Sequence, residues 1–439
     1  MKITRLSLDN VRAFKEAEFT FNDGFNLIIG INGAGKSTAL DTIRFCASHL
    51  MPAIQKMPFK PFGFGIDDIH GDAPLAEAAL HIRFDDDADA FIRLREWRGQ
   101  VLSESGENVE RLRREILETA RPRDRLRNQL RELQDTLSPA DPVYFYPSEQ
   151  ELKARAKRKR SAPLLVHYST SRSYYRDRKE RTAASSPGQA AYFEALTSST
   201  LNLRLVAEWL RAQQALSRER QISANLVAWM DKAIAVFLPG YSHLRPAEDG
   251  SSTVLIDHNG MSLNVRQLSD GERSVLALVL DIAKRLSQAN PRLDDPLESG
   301  EAVILIDEID LHLHPQWQRK IVSSLEKTFP KCQFIATTHS PQVIGEVPHN
   351  KIQMIKDGKV YSPSRSFGID SSRVLEEVMD TESRNPEVED TISRIAKLIA
   401  DGKGNEARAA IKTLSEEIGE DDPEITRAKT LLDFMEGDT

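Results

Sequence analysis

Residues 30–38 read GINGAGKST, which places Gly30, Gly35, Lys36 and Ser37 at the spacing G-x-x-x-x-G-K-[ST]. An apolar run, FNLIIG, precedes this stretch and a helical pattern, KSTALDTIRFCASHL, follows it. That context is the one in which such a loop binds phosphate. Backbone N–H groups of Asn32, Gly33, Gly35 and Thr38, together with the helix start, would surround phosphate oxygens. Lys36 would neutralise the β- and γ-phosphates, and the Ser37 hydroxyl would ligate Mg²⁺.

A second group lies in AVILIDEID, residues 302–310, where an apolar run ends in Asp307 and Glu308. A parallel strand would deliver both carboxylates to the phosphate end of a sheet. Asp307 would hold Mg²⁺ through water, and Glu308 would orient and activate an attacking water. The third is His339 in ATTHSP, 31 residues after Glu308 and again just past an apolar strand. From there an imidazole could hydrogen-bond a γ-phosphate oxygen. The fourth is LSDGERSVLALVL, residues 268–280, an apolar helix that opens on Ser269, Asp270 and Gly271.

Phosphate loop, LSDGE, acidic strand end and histidine follow one another in the order of an ABC-type ATPase, and the chain resembles that superfamily. The resemblance implies ATP and Mg²⁺ as cofactors. It also implies that Ser269 and Gly271 close on the γ-phosphate held by an opposite copy, in a head-to-tail homodimer or higher homo-oligomer. LDNVRAF resembles the first strand of the soluble, SMC- and RecF-like branch, with Arg12 and Phe14 near the base or ribose. DEIDLHLHPQWQ resembles that branch's extension after the glutamate, with Asp310 as the contact across the dimer. Over nearly its full length the sequence is similar to the compact bacterial ATPases of Septu and retron-linked antiphage defence systems. That implies a regulator controlling a separate effector such as a nuclease; the alternative is a repair clamp that binds DNA without a toxic partner. The glutamine expected after the first helix is Gln55, or its place is taken by Asp68 in GFGIDDIHGD.

The elements that must position these groups form an α/β fold: an ABC-type P-loop ATPase head with a mostly parallel central sheet, a helical insertion and a helical C-terminal extension. Short, continuously apolar strands such as AVILI and CQFIA suit a parallel sheet covered on both faces. KITRLSLDN and EAEFTF alternate as strands, AEAALHIRFD and AFIRLREW read as a hairpin, and Asn259-Gly260 marks another. The expected divisions are an N-terminal ATPase lobe at 1–97, a charged helical insertion at 98–162, the signature and switch region at 163–365, and an acidic extension at 366–439. A net charge of −7 hides opposed blocks: residues 98–181 carry 20 Lys/Arg against 13 Asp/Glu, whereas 366–439 carry 9 against 19. The tract KARAKRKR, Lys153–Arg160, reads as a solvated helix face or a DNA or RNA contact. In the extension Ile392, Ile395, Ile399, Ile411 and Leu414 recur at helical spacing. The insertion and this acidic extension are the expected surfaces for an effector. No apolar run is long enough for a membrane span, and two cysteines in apolar context suit a reducing cytoplasm.

Overall fold

The structure is a computed structural model that describes residues 1–55, 61–84, 89–97, 143–158, 161–170, 190–197, 203–217, 221–249, 251, 253–379, 381 and 384–437. It divides into two compact units, Met1–Ile369 and Asp370–Thr439.

The first unit holds a six-stranded and a five-stranded sheet. The six-stranded sheet is built on β3 (Phe25–Gly30), β7 (Leu165–Tyr168), β11 (Val303–Ile306), β12 (Gln333–Thr337), β13 (Ile352–Lys356) and β14 (Lys359–Tyr361), in the order β14-β13-β3-β12-β11-β7. All pairings are parallel except that of the edge strand β14. Strands β7, β11 and β12 are buried at every position, as their uninterrupted apolar character requires. The phosphate loop leaves the end of β3, and the acidic pair leaves the end of β11. Because β12 lies between these two strands in parallel register, all three deliver their next residues to one edge.

The five-stranded sheet comprises β1 (Lys2–Val11), β2 (Phe14–Thr20), β4 (Leu75–Arg83), β5 (Asp89–Trp97) and β6 (Val143–Tyr146), ordered β2-β1-β4-β5-β6 and antiparallel throughout. A buried side chain of β12 ties it to the first sheet. The fully buried Gln333 amide accepts from the Ile3 N–H at 2.8 Å and donates to the Ile3 carbonyl at 2.7 Å. Strand β6 falls inside the stretch expected to be a helical insertion. There VYFY pairs with β5 before the helix that follows, so these four residues belong to the five-stranded sheet. Residues 98–142 lie outside the described residues.

A third sheet of β8 (Tyr241–Pro246), β9 (Val254–His258) and β10 (Met261–Asn264) turns at Asn259-Gly260, both in the left-handed region, as expected. The helices of this unit include α1 (Lys36–Ile54), α2 (Glu149–Arg158), α3 (Leu203–Ser217), α4 (Gln221–Phe237), α5 (Asp270–Ala289) and α6 (Pro315–Thr328).

The second unit contains α7 (Pro386–Ala400), α8 (Gly404–Ile418) and α9 (Pro423–Gly437). Its core is Ile395, Ile399, Ala407, Ile411, Leu414, Ile425 and Leu432, with Ile392 at its margin. The recurrent isoleucines therefore do face a core, and a third helix completes it. Arg384 grips Asp422 through two hydrogen bonds of 2.9 and 3.2 Å. No helix among the described residues is long and apolar enough to cross a membrane.

Candidate functional site

The loop after β3 depends on its glycines. Gly33 and Gly35 adopt φ of 80° and 109°, a region side chains rarely enter. A Cβ on Gly35 would also stand 2.5 Å from Cζ of Phe14, so this glycine is fixed by close approach as well as by φ. Phe14 is fully buried and forms the floor of the loop. Helix α1 begins at Lys36 with no side-chain cap and no acidic residue in its first turn. Its first N–H groups thus lack intrahelical acceptors, and the dipole of a helix 19 residues long favours an anion there. Asn32 and Gly33 are exposed at the loop tip, whereas Lys36 and Thr38 are buried. Lys36 Nζ donates to the Gly30 carbonyl at 3.0 Å and to the Ile31 carbonyl at 3.1 Å. Burial lowers its pKa, while Asp307, Glu308 and Asp310 act in the opposite direction.

The acidic strand end stands against this loop. Ser37 Oγ donates to Asp307 at 3.2 Å, and Thr337 Oγ1 donates to the other oxygen of the same carboxylate at 2.6 Å. A serine hydroxyl and a carboxylate held together are hard oxygen donors. They fit Mg²⁺, which takes one or two protein oxygens and completes its shell with phosphate and water. Glu308 has left the strand in the left-handed region, φ 49°, which costs a non-glycine residue about 1 kcal/mol or more. Its N–H donates to Thr337 Oγ1 at 2.7 Å, and the next N–H, of Ile309, donates to the Thr337 carbonyl at 2.9 Å. Thr338 Oγ1 donates to Asp310 at 2.5 Å. Burial and Lys36 lower the pKa of His339, against the pull of Asp310, Glu308 and Asp307. Lys36, Ser37, Asp307, Glu308, Asp310 and His339 therefore form one electrostatic group.

Arg12 does not point its charge at open space. Its Nε donates to Asp68 at 2.6 Å and its NH1 to Asp41, in the second turn of α1, at 3.2 Å. The two candidates for the expected glutamine stand in different places along α1. Asp68 is tied through Arg12 to the start of α1, while Gln55 caps the opposite end, about 28 Å away at 1.5 Å per residue.

Ser269 and Gly271 stand at the start of α5, where the serine bonds locally. Ser269 is the N-cap of α5 and completes a capping box with Glu272. Its N–H and hydroxyl both donate to one Glu272 oxygen, at 2.9 and 2.7 Å, and Tyr241 OH donates to the other at 2.8 Å. Those bonds keep the Glu272 pKa low although partial burial works to raise it. A Cβ on Gly271 would lie 2.6 Å from the His312 carbonyl and 3.2 Å from the Trp317 ring. The helix start thus packs closely on the segment that follows the acidic pair. Deeper along α5, Asp281 accepts from Tyr168 OH at 2.9 Å and from Arg285 Nε at 2.6 Å. The Tyr168 carbonyl in turn accepts the Asp307 N–H at 2.8 Å, joining α5 to the acidic strand end.

Thr337 and Tyr241 are the partners that sequence patterns do not reveal. Thr337 and Glu272 stood inside recognised stretches, but nothing in their spacing predicts bonds to Asp307 and Tyr241. Of the tract Lys153–Arg160, only the portion in α2 is described: Leu152 and Ala156 are buried, Lys157 is exposed and Arg155 pairs with Glu151 at 2.8 Å.

Residues 25–345 match the family described as "AAA domain, putative AbiEii toxin, Type IV TA system". The chain is 38% identical to the Retron Ec83 probable ATPase of Escherichia coli over 49% of its own length and 41% of that protein. It is 26% identical to the Retron Vc95 probable ATPase of Vibrio cholerae over 90% of its length and 82% of that protein. The Septu protein PtuA of Bacillus mycoides is 47% identical over 18% of this chain and 10% of PtuA. Among solved structures, the SMC head domain from Thermotoga maritima aligns with 82% of this chain and 99% of that one, at 16% identity and a TM-score of 0.45. The match spans well under half of the retron Ec83 relative. Within its own bounds, this chain belongs to the AAA-domain family and carries a P-loop ATPase domain.

Proposed function

We propose that the protein is a Mg²⁺-dependent ATPase whose nucleotide state governs pairing between copies of itself. The observation that carries this reading is the Asp307 carboxylate, hydrogen-bonded to the phosphate-loop Ser37 on one side and to Thr337 on the other, with Glu308 next to it. Lys36 and the open start of α1 bind the triphosphate. Ser37 and Asp307 are the side chains that would hold Mg²⁺, and the ion would supply positive charge to offset that of the phosphates. Glu308 orients a water whose oxygen bonds to the γ-phosphorus as the bond to the departing ADP oxygen breaks. His339, whose pKa is lowered by burial and Lys36, hydrogen-bonds the γ-phosphate.

Ser269, exposed at the start of α5, and the buried Gly271 two residues on close over nucleotide held by Lys36 of a second copy, and Asp310 faces the same junction. Retron and Septu relatives support a role in antiphage defence, with a separate effector such as a nuclease under this ATPase's control. The acidic C-terminal unit is the surface for that effector, its helix α9 leaving Leu431, Phe434 and Met435 exposed. Exposed Lys157 and a 46%-identical stretch of 41 residues shared with a Methanosarcina mazei protein named DNA double-strand break repair Rad50 ATPase favour the second reading, a DNA-binding clamp.

Glu308→Gln tests the core of the proposal. Hydrolysis should fall by roughly 100-fold or more while ATP binding persists, and sedimentation velocity should show an ATP-dependent dimer or larger species. Unchanged hydrolysis, or a monomer at every nucleotide concentration, would count against it.

A further inference from the structure

The geometry points to Thr337 as a positioning residue for hydrolysis: a single buried hydroxyl joins the Asp307 carboxylate to the backbone of Glu308. The inference rests on the reading of Glu308 as the residue that orients water.

The parallel pairing of β11 with β12 ends at Ile306 and Ala336. Beyond it the Asp307 N–H bonds to the Tyr168 carbonyl of β7, and Glu308 turns into the left-handed region. Thr337 supplies what the ladder no longer does. Its hydroxyl orientation is fixed by chemistry, because the Asp307 carboxylate can only accept and the Glu308 N–H can only donate. The one hydroxyl proton therefore goes to Asp307 at 2.6 Å, and a lone pair receives the Glu308 N–H at 2.7 Å. The Thr337 carbonyl takes the Ile309 N–H, so Glu308 is held on both sides by the same residue. Thr337 is fully buried, and no solvent can replace these bonds. A hydroxyl placed this way sets the distance between the carboxylate at the phosphate loop and the residue beside it, a role of the kind outer-shell groups play around catalytic ions.

The experiment compares Thr337→Ser, Thr337→Ala and Thr337→Val in the full chain. Serine and alanine both lack the methyl group and differ only in the hydroxyl, so their ratio reads the hydroxyl even if valine disturbs folding. Serine should retain kcat within about threefold, and alanine should lose roughly 10- to 100-fold. KM for ATP should change little. Titration with a fluorescent ATP analogue adds a readout apart from turnover: the gain in affinity produced by Mg²⁺ should survive in the serine variant and shrink in the alanine and valine variants. Equal kcat for serine and alanine, or an unaltered Mg²⁺ response in alanine, would overturn the inference. If Glu308→Gln leaves hydrolysis intact, the site reading itself fails. If Glu308→Gln abolishes hydrolysis and serine equals alanine, only the role of Thr337 fails.

Discussion

Two helix starts in this molecule carry the residues that point to phosphate, and they are built in opposite ways. Helix α1 opens after Gly35 with no side-chain cap, so its N–H groups await an acceptor from outside. Helix α5 opens on Ser269, whose side chain accepts from the Glu272 N–H while Glu272 accepts in return. The first start is ready for an anion within a single chain. The second has satisfied itself, and to reach a phosphate Ser269 must exchange its bond to Glu272 for one to the ligand. Nucleotide binding to one chain is therefore expected to precede, and to be separable from, the grip between chains.

The largest effect should come from the anchor that holds α5 in place. Asp281 is buried, yet its pKa lies below the usual carboxylate range: burial raises it, and Arg285 with Lys284 more than compensates. Asp281→Asn leaves Arg285 buried without its counter-charge, and removing one member of a buried pair costs about 3–5 kcal/mol. A fall in Tm is the expected result. Since the folded pKa is depressed, the ionised pair contributes its stability above the unfolded value near pH 4 and loses it as pH drops through the folded value. The Tm gap between wild type and variant should narrow in acid. A gap independent of pH would show that shape, not charge, holds α5 to Tyr168.

A smaller effect separates the two helix starts directly. Ser269→Ala removes the cap of α5 and should lower stability by about 1 kcal/mol. ATP binding by dilute protein should persist, because the open start of α1 and Lys36 are untouched. ATP-dependent association should disappear. Loss of binding and association together in a folded variant would mean that the two starts do not act in sequence.

The contrast also explains what could be read in the chain beforehand. GINGAGKST and AVILIDEID place their candidate groups within a few residues of a strand end, so local pattern is enough to single them out. The bonds that organise them link Thr337 to Asp307, Tyr241 to Glu272 and Tyr168 to Asp281, pairs 30, 31 and 113 residues apart. A threonine or tyrosine has no periodicity that announces such a partner. Strand β6 was hidden for another reason: VYFY is four residues long and borders a strongly charged stretch, so the surrounding helical pattern dominates. For LSDGE, one pattern carries two meanings. S-x-x-E is a capping box in any helix, and only the resemblance to ABC-type ATPases adds the phosphate reading.

Tyr241→Phe should have the smallest effect and the most specific one. The phenol is stacked on His258, with centroids 4.1 Å apart, and burial together with the Glu272 bond pushes its pKa up to about 12. Phenylalanine keeps the ring and loses only the hydrogen bond, at a cost of about 1 kcal/mol. Glu272 would then have one fewer partner opposing its hold on Ser269. If that hold is what the serine must escape to meet a second chain's phosphate, the change should alter the ATP concentration for half-maximal association by several-fold and leave ATP binding to dilute protein unchanged. An identical association curve, measured beside an unchanged binding curve, would show that the Tyr241–Glu272 bond only caps the helix and plays no part in the grip between copies.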